Sequence, residues 1–163
     1  MLKELGKYKD TLSSIFAEDN NICSLLLGQN YENEVEDKNK ELKKYILPHL
    51  FMENRLTENK SYLLMETYVL KSNASIKEMK MVIQAICHKD IITYEEKPAA
   101  YYGLRYDVLS QYIEELLCPN DKERIKERVK QFGIGRLELQ NVDSFLSNYY
   151  IGHTLTFTVP AFR

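Results

Sequence analysis

"IKEMKMVIQAICH", residues 76–88, obeys two periods at once, and the architecture turns on which one is real. Ile76, Met79, Ile83 and Ile86 recur at helical steps, whereas Met81, Ile83, Ala85 and Cys87 alternate as they would along a strand. We read a strand. The stretch before it, "SYLLMETYVLK" (61–71), is rich in Tyr, Leu, Val and Thr and also reads as a strand, with Tyr62, Leu64, Glu66 and Tyr68 on one face. Lys71 to Ser75 supplies a turn, so the two strands form a hairpin.

Downstream, "EEKPAAYY" (95–102) is a loop, and the clearest helix follows it. Leu104, Val108, Leu109, Tyr112, Ile113, Leu116 and Leu117 mark its apolar face, with Gly103 before it and Pro119-Asn120 stopping it. "DKERIKERVK" (121–130) is a short charged helix or a mobile arm. Two strands close the chain. In "IGRLELQ" (134–140) Leu137 and Leu139 alternate with Arg136, Glu138 and Gln140; in "HTLTFTVP" (153–160) Leu155, Phe157 and Val159 alternate with threonines. Such alternation buries one face and wets the other, the habit of an antiparallel sheet.

Upstream, Leu2, Leu5, Tyr8, Leu12, Ile15 and Phe16 give one face of a helix, and Ile22, Leu25, Leu26 and Leu27 a second apolar group that stops at Gly28. Residues 28–40 are polar and read as a solvated loop, and Glu41 to Leu47 as a helical turn or two ended by Pro48. The expectation is one α+β domain over 1–163, an antiparallel four-stranded sheet packed against helices in the order α-β-β-α-β-β. A helical N-terminal region with a polar loop (1–60) precedes a sandwich core (61–163) that carries a charged insert near 119–132.

At 163 residues, with 28% charged and 44% hydrophobic residues and a net charge of −2, the composition shows no global bias toward nucleic acid or an anionic membrane. No apolar run approaches a membrane span, and the charges in "MLKELGKYKD" argue against a signal peptide. Cys23, Cys87 and Cys118 are far apart and odd in number, which fits free thiols in a reducing cytoplasm. Twelve Tyr and no Trp fit a contact surface, and equally an AT-rich genome.

Gly133-Ile134-Gly135 raises the question of a phosphate loop. Such a loop follows a strand and opens a helix, but here a charged helix precedes and a strand follows, and no Gly-Lys-Ser/Thr occurs. We read a turn. His49, His88 and His153 have no metal-ligand spacing, and His88-Lys-Asp90 has no nucleophile elbow near it, so no catalytic residue, cofactor site or metal site is assigned. Asp107 complements the dipole of its helix, and Arg105 is available to a carboxylate, by default within the chain or else on a neighbouring subunit. The basic residues Lys122, Arg124, Lys126, Arg128 and Lys130, interleaved with acids, are a solvated face or a point of non-specific contact with DNA.

Three stretches resemble small neck proteins of tailed bacteriophages: "CHKDIITYEEKPAAYYGLRYDVLSQYIEELL" (87–117), "FGIGRLELQ" (132–140) and "YYIGHTLTFTVPAFR" (149–163). In those proteins a strand ends at a His-Lys-Asp-like corner, a helix of the Arg105–Leu117 form follows, and a Gly-Ile-Gly-led strand and a last strand complete the sheet. The first sixty residues carry no such likeness. The resemblance implies a non-enzymatic virion protein, assembled in the bacterial cytoplasm. It would form a hexameric or dodecameric ring of itself at the head–tail junction, as tail terminator or connector. Its partners would be other neck, portal-adaptor or tail-tube proteins, with DNA in the channel. Segments 28–60 and 119–132 are then candidate arms, and Tyr101, Tyr102, Tyr149, Tyr150, Arg105 and Asp107 candidate subunit contacts. The alternative is an intracellular adaptor or regulatory binding module.

Overall fold

A strand buried on both faces must be apolar on both, which hides its period of two. That is the case for much of the stretch 79–88, where only Lys80 and Gln84 are partly exposed. In the computed structural model, which describes residues 2–50, 58–72, 76–133 and 135–162, residues 76–88 form one long strand, β3 (Ile76–His88). Met79, Met81, Ile83, Ala85 and Cys87 are fully buried on one face, and Val82 and Ile86 are buried on the other. It pairs antiparallel with β2 (Ser61–Ser72), as the hairpin reading expects; residues 73–75 of the expected turn lie outside the described residues.

The remaining strands are β1 (Ile46–Leu47), β4 (Glu138–Leu146) and β5 (Tyr150–Phe162), and the sheet runs β1-β2-β3-β5-β4. Among the described residues the sheet therefore has five strands, not four. The extra one, β1, lies parallel to β2 with Ile46 beside Leu63, where the helical turn to Leu47 was expected. Two residues are too few to show a period, and the ladder that makes them a strand is a tertiary contact. The last hairpin also differs: β4 starts later than Ile134 and runs on past Gln140 through Asn141, Val142, Asp143 and Ser144, all exposed, so no buried face shows in its pattern.

Four helices precede the sheet: α1 (Leu2–Glu18), α2 (Asn20–Leu27), α3 (Tyr31–Glu34) and α4 (Lys38–Leu42). Gly28 ends α2, as read, and Asp19 caps its start. The expected loop at 28–40 instead holds α3 and the start of α4, because Tyr31 is buried with its hydroxyl against Asn20 Oδ1 at 3.1 Å. α1 buries Tyr8, Leu12, Ile15 and Phe16; at roughly 1.5–3 kcal/mol for each fully buried large side chain, tertiary packing outweighs helix propensity here.

After a 3₁₀ turn at Lys89–Ile91 come α5 (Arg105–Leu117) and α6 (Lys122–Phe132). The charged segment is thus a helix, with Asp121 as its N-cap and Gly133 as its left-handed C-cap at φ 67°. Gly133 ends a helix instead of cradling a phosphate; Ile134 lies outside the described residues. α1 and α5 lie on the same face of the sheet. Thr67 Oγ1 donates to Leu5 O at 2.9 Å, and His153 meets Asp107 at 2.7 Å; both sheet residues lie on the Met81–Ile83–Ala85 face by register. On the other face the rings of Tyr45, Tyr62 and Tyr150 pack tilted and edge-on at 5.5 Å spacings and cover one end, leaving the Thr154–Thr156–Thr158 end partly exposed.

Candidate assembly surface

β4 is the outer strand of the sheet and, among the described residues, nothing pairs with its far side. Asn141, Val142, Asp143 and Ser144 are exposed one after another, so this part of the strand is wet on both faces. Val142 is 48% and Leu146 70% exposed. An open row of N–H and C=O groups is a template for another chain, and natural edges are usually blunted by Lys, Pro, bulges or shortness. β4 is nine residues long, contains neither Lys nor Pro, and has one irregularity between Leu139 and Asn141. Its only charges are Glu138 and Asp143.

The candidate contact residues separate. Tyr102 (73% exposed) and Tyr149 (50%) stand in solvent as expected. Tyr150 does not: it is buried, edge-on to Tyr62, with its hydroxyl donating to Glu58 O at 3.0 Å. Consecutive residues entering a strand point apart, so Tyr149 and Tyr150 cannot share one exposure. Tyr101 is half-buried against Tyr112, its hydroxyl donating to Glu115 Oε2 at 2.5 Å; that bond, then burial, pushes its pKa up to about 12.

Arg105 pairs with carbonyls where a carboxylate was expected. Its Nε donates to Ile91 O at 2.7 Å, Nη2 donates to Thr93 O at 3.2 Å, and the guanidinium lies 4.7 Å from the Tyr94 ring centroid. It therefore fixes the loop after β3 onto α5. Asp107 does more than complement a dipole. One oxygen accepts from Leu104 N at 2.8 Å, capping α5, and the other meets His153 Nε2 on β5 at 2.7 Å. Gly103 (φ 95°) makes room: a Cβ there would fall 2.6 Å from Asp107 Oδ2. His153 and Asp107 are 46 residues apart, and no spacing in the sequence signals the pair.

On α6, Lys122, Arg124, Lys126 and Lys130 are exposed. Arg128 faces inward, with Nε donating to Leu116 O at 2.7 Å and Nη1 to Gln131 Oε1 at 2.6 Å, so it serves the fold. Beside α6 a cleft of about 890 Å³ opens between the end of α5 and the start of β4, lined by Glu114, Glu115, Asp121, Arg124, Arg136 and Glu138 among others. His88 closes β3 as a structural corner: its Nδ1 accepts from Asp90 N at 3.1 Å. The cysteines are free, and burial pushes Cys87 and Cys118 up to about 11, away from nucleophilic use at neutral pH. Among the described residues no cluster of His, Cys, Asp or Glu could hold a metal ion, and no helix is long and apolar enough to cross a membrane.

These features define an α+β protein whose helices pack on a five-stranded, mostly antiparallel sheet with an open β4 edge. The chain belongs to the YomW family, whose model matches residues 19–159, from the N-cap of α2 into the last strand. No curated protein matches it.

Proposed function

We propose that this chain is a non-enzymatic structural protein of a tailed-phage particle, a subunit of a homo-oligomeric ring at the head–tail junction. As tail terminator or neck connector it joins or caps the tail around the DNA channel. The observation that carries this reading is β4, a nine-residue edge with exposed Val142 and Leu146 and no partner among the described residues. Such an edge is suited to completion by another chain. The stretches that resemble neck proteins add support, because the His88 corner, α5, β4 and β5 follow one another in the expected order, with α6 between α5 and β4. Lys122, Lys126 and Lys130 are free to meet phosphates of passing DNA without sequence preference, a contact that weakens with salt.

The cleft beside α6 favours a second reading, an adaptor or regulatory module that binds one partner at a discrete patch. Immunogold labelling of purified particles separates the two. Gold at the junction of head and tail is the expected result, whereas particles that lack the protein contradict the ring reading and leave the adaptor.

A further inference from the structure

The sheet has two open stretches, one on each side, and they match. β2 pairs with β1 only at Leu63 and Leu64; beyond that, among the described residues, its outer side meets no strand. β4 is open on the other side. Neighbouring long strands are antiparallel throughout, so β2 and β4 run in opposite directions. A second copy related by rotation about an axis along the strands would therefore place its β2 beside β4 in antiparallel order, continuing the sheet.

The register says which residues would meet. Glu138 pairs with Thr158, Thr158 with Lys80 and Lys80 with Tyr68, so these four form one row across the sheet. At the β4 end the row finishes in an exposed carboxylate. At the β2 end it finishes in Tyr68, 39% exposed, with the Lys80 ammonium 5.5 Å from its ring centroid. The next row runs Asn141–Thr156–Val82–Glu66, setting an amide at one end and a carboxylate at the other. That carboxylate already meets Lys9 Nζ at 2.5 Å and retains acceptor capacity. In the first row the Glu138 carboxylate at one end complements the Lys80 ammonium at the other, and a carboxylate does not complement a second carboxylate.

We infer that the subunits of the ring join head to tail through this sheet, the β4 edge of one copy against the β2 edge of the next, with Glu138 beside Tyr68 and Lys80 of its neighbour. The inference rests on the ring reading and names its interface. The seam is short, because β1 takes over the β2 edge at Leu64. Main-chain bonds hold it, Thr67 N excepted because it donates to Glu66 Oε1 at 3.0 Å within its own subunit, and the charges set register and direction.

The test uses particles that carry the double variant E138C/Y68C in place of the native chain, oxidised and run without reductant. A ladder of disulfide-linked multimers, absent from either single variant, is the expected result. As a second arm, E138K lowers incorporation into particles several-fold and K80E in the same chain restores it. Particles that contain the protein but give no ladder, with charge swaps that do not compensate, overturn the seam and leave the ring standing. A V142C variant that crosslinks to dimers and no further also overturns it, because β4 would then pair with its own copy across a two-fold axis. Particles without the protein overturn the ring reading and the seam together.

Discussion

Asp107 caps α5 through Leu104 N and ties that helix to β5 through His153. Asp107→Ala removes both and should cost about 1–2 kcal/mol in urea unfolding, the range for a lost cap with a partly buried hydrogen bond. His153→Ala should cost less, and the double variant less than the sum, since the two share one bond. An additive result would mean the pair is not formed. At Gly152 the constraint is space: a Cβ would lie 2.7 Å from Ile86 Cα and press on the Ala85 carbonyl. Gly152→Ala should therefore destabilise by about 3 kcal/mol or more, a large overpacking effect, read as a fall in Tm. The sequence marks Asp107 as a first-turn acid, but it carries nothing that pairs it with His153 or brings Gly152 against β3. Those facts belong to register. Tyr150 is a different failure, since the alternation that separates it from Tyr149 was available in the sequence.

Elements whose apolar pattern is one-sided, α1, α5 and β5, are legible because burial on a single face leaves its period in the sequence. β3 is ambiguous for a physical reason, burial on both faces, and β1 is invisible because two residues carry no period. α6 shows the complementary case. Its interior is charged, Phe132 is its one buried residue, and Asp121 and Gly133 cap its ends. Gly133→Ala should cost about 1 kcal/mol, because a Cβ is disfavoured at positive φ, and local hydrogen exchange on α6 should rise. The packing of these elements also sets an alkaline limit. Burial raises Cys87 to about 11 from its usual 9.0, and the Glu115 bond raises Tyr101 to about 12 from 10.0. Both groups stay protonated in the fold after the unfolded chain has lost its protons. Their stabilisation is complete below pH about 9 and is lost as pH rises toward 11 and 12. The urea midpoint should decline above pH 9, and Tyr101→Phe should flatten the upper part of that decline; a midpoint independent of pH to 11 would contradict both shifts.

At the level of the whole subunit, the helices and the tyrosine cluster close most of the sheet and leave the β4 side open. A monomer that worked alone would gain nothing from a nine-residue unpaired edge with exposed Val142 and Leu146, and would carry the hazard of aggregation. A ring would turn that edge into an interface, and this is the reason we propose an assembly. The measurement that bears most directly on that claim is deletion of the gene from its parent phage or prophage, followed by electron microscopy of the induced lysate. Full heads beside unattached tails, or tails that are overlong or frayed, are the predicted result. Normal infectious particles would contradict the account.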